Sequence, residues 1–201
     1  LSDANIFDAI LGTESIKWDA FWHLFEWLLD EEKGHGLGNT LSLQLQTFAF
    51  GKSNPKYIAK REYPVSEQTD GKGKWTDYAL GIPMLTNPTH LIVMDDLPRT
   101  SLGGQRKLDN LNLYIQESLK LRPNAIVRAV VISDKRRDAI LPKIVFEKLR
   151  PEATDFTSQH GWRLLPLHTL GEWIEHATNG KKLSTKMQLY LADLVEWCQR
   201  S

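Results

Sequence analysis

The chain has one cysteine, Cys198, in 201 residues. A lone thiol excludes an internal disulfide framework and a cysteine-based zinc site. Long apolar runs are also missing. No window approaches the roughly 20 apolar residues that a bilayer-spanning helix needs, and no secretory pattern opens the chain, so a membrane is not an expected partner and a cytoplasmic location is the default expectation. Net charge is absent too: 25 Lys and Arg balance 25 Asp and Glu. A dedicated non-specific nucleic-acid binder carries a basic excess, because neutralised phosphates release counterions. Neutrality counts against that role but leaves room for an enzyme that grips nucleic acid locally. The basic clusters Lys52, Lys56, Lys60, Arg61 and Lys135, Arg136, Arg137 read best as solvated faces. Familiar catalytic loops are lacking. Gly34, Gly36 and Gly38 follow no strand and lack the lysine and hydroxyl residue of a phosphate loop. No G-x-S-x-G nucleophile element occurs, and the six histidines, His23 and His35 among them, show no metal-ligand spacing.

What is present is an ordinary globular composition, 41% apolar and 25% charged, long enough for one sizeable core and short for two. A single domain over residues 1–201 is expected. Apolar spacing predicts a helix from Asn5 to Asp30, with Phe21, Leu24, Phe25, Leu28 and Leu29 at helical intervals and Trp18, Trp22 and Trp27 filling core. A second helix is expected over Thr40 to Phe50. The period then changes. Tyr57 to Val65 and Trp75 to Ile82 read as a hairpin around the turn signal Asp70-Gly71-Lys72-Gly73. His90 to Met94 reads as a buried strand, Gln105 to Leu121 as a helix, and Ala125 to Ser133 as a β-branched strand. A helix near Ile140 to Leu149, a strand near Trp162 to Pro166 and helices over Leu170 to Ala177 and Ser184 to Cys198 complete the pattern. Strands interleaved with helices point to an α/β domain built around one mixed central sheet flanked by helices.

Asp77 lies inside the returning strand of the hairpin, and Asp95 and Asp96 follow the apolar run Leu91 to Met94. Aspartates within one strand and at the end of its neighbour can converge on a hard cation, and carboxylate oxygens suit magnesium or manganese. Such an ion acidifies bound water and stabilises charge on a transferring phosphoryl group. Acids closing strands at a solvated edge are the competing explanation.

Asp77-Tyr78-Ala79, a short gap, then Leu91-Ile92-Val93-Met94-Asp95-Asp96-Leu97 resembles the PD-(D/E)XK nuclease superfamily. There a strand aspartate is followed by an apolar strand ending in (D/E)-X-K. Asp77 matches the first acid and Asp95 the second. Asp96 takes the variable place, and Leu97 stands where the signature lysine is expected. Asn5-Ile6-Phe7-Asp8-Ala9-Ile10, Trp27-Leu28-Leu29-Asp30, His35-Gly36-Leu37-Gly38 and the Asn110/Tyr114 spacing are similar to a bacterial branch of that superfamily, with asparagine in place of its glutamine. The resemblance implies a restriction-endonuclease-like fold and a Mg2+- or Mn2+-dependent nuclease with DNA as substrate class. Asp77, Asp95 and Asp96 are the implied metal ligands, with Glu26 or Glu62 as helpers, and Asn110 and Tyr114 position water or the scissile phosphate. Lysine reaches a site from a neighbouring element, so Lys107 or Lys74 could replace the missing lysine; a surface position is the alternative for each. Trp75 is the aromatic residue best placed to stack on a base. The alternative function is a degenerate nuclease-fold domain that binds nucleic acid, a partner protein or a second copy of itself, as in a bacterial defence system.

Overall fold

The computed structural model describes residues 5–12, 16–30, 35–67, 73–96, 101–134 and 161–201, with the backbone alone for 101–108 and Trp162. The expected helix near Ile140 to Leu149, the cluster Lys135, Arg136, Arg137, the centre of the hairpin turn, Gly34 and Leu97 lie outside the described residues, as does the side chain of Lys107.

The described residues form an α/β fold with a five-stranded mixed sheet in sequential order, β1 to β5, flanked by helices. Three helices come first: α1 (Ile6–Leu11), α2 (Trp18–Leu29) and α3 (Gly38–Phe50). The strands β1 (Ile58–Pro64), β2 (Trp75–Ile82) and β3 (His90–Asp96) form an antiparallel meander. Helix α4 (Ser101–Leu121) crosses over to β4 (Ile126–Ser133), which pairs with β3 in parallel. Strand β5 (Gly161–Pro166) extends the parallel half, and α5 (Leu167–Thr178) and α6 (Thr185–Arg200) follow it.

The predicted helix over Asn5 to Asp30 is two helices. Gly12 ends α1 in a conformation with φ 86°, which costs glycine nothing and an L side chain much. Before it, the Asn5 side chain accepts the Phe7 N–H at 2.9 Å, an N-cap that fixes where α1 starts. The strand expectations agree with the structure to within a residue or two at each end. The apolar spacing of α4 left its first turn unannounced: the helix begins at Ser101, four residues before Gln105.

Strand alternation gives the sheet two buried faces. On one, Tyr78, Leu80, Ile82, Ile92, Met94, Val130, Ile132 and Leu165 meet α1, α2, α3, α5 and α6 in the larger core. On the other, Ala79, Leu91, Val93, Val127, Ala129 and Val131 pack against Leu111 and Ile115 of α4. With both faces covered, the inner strands are nearly continuous in apolar residues. Trp18, Trp22 and Trp27 all belong to or border the larger core, as their spacing predicts. Gly81 serves the end of the hairpin. A Cβ there would lie 2.6 Å from the Met84 carbonyl oxygen and 2.8 Å from the Leu85 Cα. Backbone atoms cannot swing aside as a side-chain tip can, so Gly81→Ala is expected to cost about 2–3 kcal/mol, measured by urea denaturation.

Candidate metal centre

The meander is what brings the acids together. Strands β2 and β3 pair Tyr78 with Met94 and Ala79 with Val93, and the next step of that antiparallel register sets Asp77 opposite Asp95. Both share strand parity with Ala79 and Val93, so both belong to the α4 face of the sheet. Asp96 ends β3. One carboxylate oxygen from each of Asp77, Asp95 and Asp96 lies within 4.8 Å of the others. Asp95 is only 3% exposed, and Asp77 and Asp96 are half-buried. The Asp96 N–H donates to Asp95 Oδ1 at 2.9 Å, which fixes the buried carboxylate. Beside it the Thr76 hydroxyl donates to the Met94 carbonyl at 2.5 Å, locking β2 to β3 where the acids emerge.

This geometry suits a cation. Oxygens bound to one divalent ion at about 2.0–2.6 Å lie about 3–5 Å from each other. Two carboxylates about 4.8 Å apart repel by about 3–4 kcal/mol at an effective dielectric of about 20. The backbone nearby is also distorted. The β1–β2 register passes from Arg61↔Tyr78 to Tyr63↔Thr76, and between them Glu62 takes φ 50°, a region that non-glycine residues occupy at a cost.

The remaining predicted site residues are placed differently. Glu62 is exposed and pairs with Arg61 at 3.3 Å, and its carboxylate is not among the clustered acids. Glu26 is not among the clustered carboxylates. It lies on α2 and lines a cleft with Tyr78, whose side chain belongs to the larger core, so it sits across the sheet from Asp77 and Asp95. Asn110 and Tyr114 are half-buried, four residues apart on α4. Tyr114 packs on the smaller core, on the same face of the sheet as the acids. Lys74 is half-buried just before β2, where its N–H donates to the Ser66 hydroxyl at 2.8 Å. Trp75 is 49% exposed.

Sequence reasoning passed over Asp134. Strand β4 runs parallel to β3 with Ile132 level with Asp96, so Ser133 and Asp134 leave the sheet at the same end as the acids. Both are buried. Ligands of open parallel sheets gather outside the carboxyl ends of the strands, and Asp134 provides a fourth carboxylate at that end. The signal available was an acid closing a second β-branched strand, as Asp95 closes the first.

Two residues noted in the sequence are structural. His35 is buried, and its Nδ1 accepts the Leu37 N–H at 3.0 Å. Nε2 therefore carries the proton and donates to the Trp27 carbonyl 2.8 Å away. The ring ties the end of α2 to the start of α3. Cys198 is fully buried and free, and burial pushes its thiol pKa up, the opposite of what a reactive cysteine needs. No helix among the described residues is long and apolar enough to cross a membrane. Searches of protein-family models, curated proteins and solved structures find no match to this chain.

Proposed function

We propose that the chain is a metal-dependent nuclease-like domain that hydrolyses phosphodiester bonds, with DNA as its substrate class and a restriction-endonuclease-like sheet as its scaffold. The observation that carries this reading is the convergence of Asp77, Asp95 and Asp96 within 4.8 Å. The order helix, three-stranded meander, crossover helix and parallel strand supports it, as does the resemblance of the same acids to the superfamily pattern.

In this reading Asp77, Asp95 and Asp96 hold Mg2+ or Mn2+. When bound, the ion lowers the pKa of a water and offsets charge on the phosphoryl oxygens. The chain's own residues do the rest. Asp95, fixed by the Asp96 N–H, is the rigid ligand, while Asp77 and Asp96 are open enough to adjust. Asn110 and Tyr114 stand on the α4 side to orient water or phosphate, and Lys74 or Lys107 would balance the developing charge.

One observation favours a second reading. Leu97 occupies the place of the signature lysine, and leucine neither orients water nor stabilises an anion. A domain that keeps the metal and binds nucleic acid or a protein without cutting fits that change. Incubation of plasmid and single-stranded DNA with Mg2+ or Mn2+ separates the two. Under the first reading the native protein cuts, and Asp77→Asn and Asp95→Asn each lose at least about 100-fold, since even residues that only support a metal ligand are worth about 10–100-fold. Manganese binding without cutting of either substrate favours the second reading. Cutting that survives both substitutions removes the site from consideration.

A further inference from the structure

Trp75 and Ser133 stand one level beyond the acids, toward the carboxyl end of β3. In the register that sets Asp77 opposite Asp95, Val131 is level with Asp95. Trp75 lies two residues from Asp77 on β2, and Ser133 two residues from Val131 on β4. Strand alternation therefore gives both the face of Asp77, Ala79 and Val131. Two strand residues span about 6–7 Å, the scale of one nucleotide.

Ser133 is fully buried, and its hydroxyl has no hydrogen-bond partner among the described residues. A buried hydroxyl left unpaired costs stability. This one stands at the end of the sheet where ligands of parallel strands gather. It points to a polar ligand at that end independently of the carboxylates.

Trp75 says what kind of ligand. It is 49% exposed, and no other described tryptophan side chain is exposed. An indole is among the side chains most buried on average, and this one is offered to solvent two residues from an acid of the cluster. Charge is scarce by comparison. The chain is neutral, so attraction to phosphates alone gives it little grip. Lys60, cross-strand from Ala79, is exposed on the same face, and stacking of bases on an aromatic ring adds affinity that needs no charge.

We propose that this site takes unpaired nucleic acid, with a base next to the ion-bound phosphate stacked on Trp75. In a duplex the faces of each base are covered by its neighbours, so an indole beside the scissile phosphate meets a base only when that base is out of the stack. The proposal rests on the metal-centre reading above, because the ion is what holds the phosphate near Trp75.

The probe is a fluorescent ten-residue oligothymidylate, with Ca2+ as the ion so that binding is read apart from hydrolysis. By anisotropy, the native chain is expected to bind the single strand at least about 10-fold more tightly than a duplex of the same length. Trp75→Ala is expected to weaken the single strand by about 5- to 100-fold, the worth of one stacked base. Trp75→Phe, which keeps a ring, is expected to lose much less. On an abasic strand of the same length, which keeps the phosphates and lacks the bases, native and Trp75→Ala are expected to bind alike. Trp75→Ala is also expected to keep the manganese-induced rise in melting temperature, which shows it folded with its acids in place. Native-like binding of oligothymidylate by Trp75→Ala, an equal loss on the duplex or the abasic strand, or no binding by the native chain would each overturn the proposal. Manganese titration of native and Asp95→Asn scores the metal centre separately. Manganese binding that Asp95→Asn abolishes, with strand binding indifferent to Trp75, overturns the stacking and leaves the metal centre standing. Strand binding that depends on Trp75 without any manganese binding supports the stacking and overturns the metal centre.

Discussion

Manganese added to metal-free protein is expected to raise the melting temperature by about 5–10 °C, and Asp95→Asn is expected to abolish the rise. An ion that binds only the folded chain stabilises it by about 2.7 kcal/mol at 100 times its dissociation constant. For a domain of about 200 residues each kcal/mol moves the midpoint by about 2–4 °C. The unfolded chain has no site to compete, because the three ligands come from two strands joined by a turn, and their carboxylates meet only when Asp77 is set opposite Asp95. Differential scanning calorimetry with and without the ion reads the effect, and a rise of the same size in Asp95→Asn would show that the ion binds elsewhere.

The part of this site that was legible in the sequence is the part governed by local rules. A turn signal before Trp75 to Ile82 announced β2 and the continuous apolar run His90 to Met94 announced β3, and antiparallel pairing of neighbours then had to bring an aspartate within one strand toward acids at the end of the next. Asp134 was harder to read because it depends on the β3–β4 register, which is set after a 21-residue helix rather than by a short turn. Glu26 shows the opposite failure. Its position on an early helix suggested the metal, but sequence does not say which face of the sheet a helix will cover. Packing put α2 against Tyr78 and so on the far side.

Two arginines make the same point. Arg128 and Arg163 are buried on neighbouring strands, where burial lowers both pKa values and Arg128 lowers that of Arg163 further. The Arg163 Nε donates to the Ala49 carbonyl at 3.4 Å, and its guanidinium lies 5.9 Å from the Phe48 ring. Placed within strands, they read as breaks in an apolar pattern. Arg163 makes sense beside the carboxyl end of α3, where its guanidinium meets the Ala49 carbonyl and helix-end carbonyls favour cations.

The larger core gives the other large effect. Trp197 is 1% exposed, and its indole N–H donates to the Gly12 carbonyl at 3.0 Å, so one side chain joins α6 to the glycine that ends α1. Trp197→Ala removes the filling of a large site, worth about 3–5 kcal/mol, and strands a carbonyl worth about 1 kcal/mol more. The midpoint should fall by about 8–24 °C, while Trp197→Phe, which keeps most of the volume and loses the hydrogen bond, should fall by less than half as much. Because Trp197 packs on the face opposite Asp77 and Asp95, the folded fraction of Trp197→Ala at low temperature should bind manganese within about 2-fold of the native protein. The sheet itself holds the acids, through the Thr76 to Met94 hydrogen bond and the β2–β3 ladder, and neither runs through α6. Denaturant titration followed by manganese titration of the same sample tests both halves. Full loss of metal affinity in a variant that is still folded would mean that the two faces of the sheet are coupled, and that the acid cluster is shaped by the helices behind it rather than by the strands that carry it.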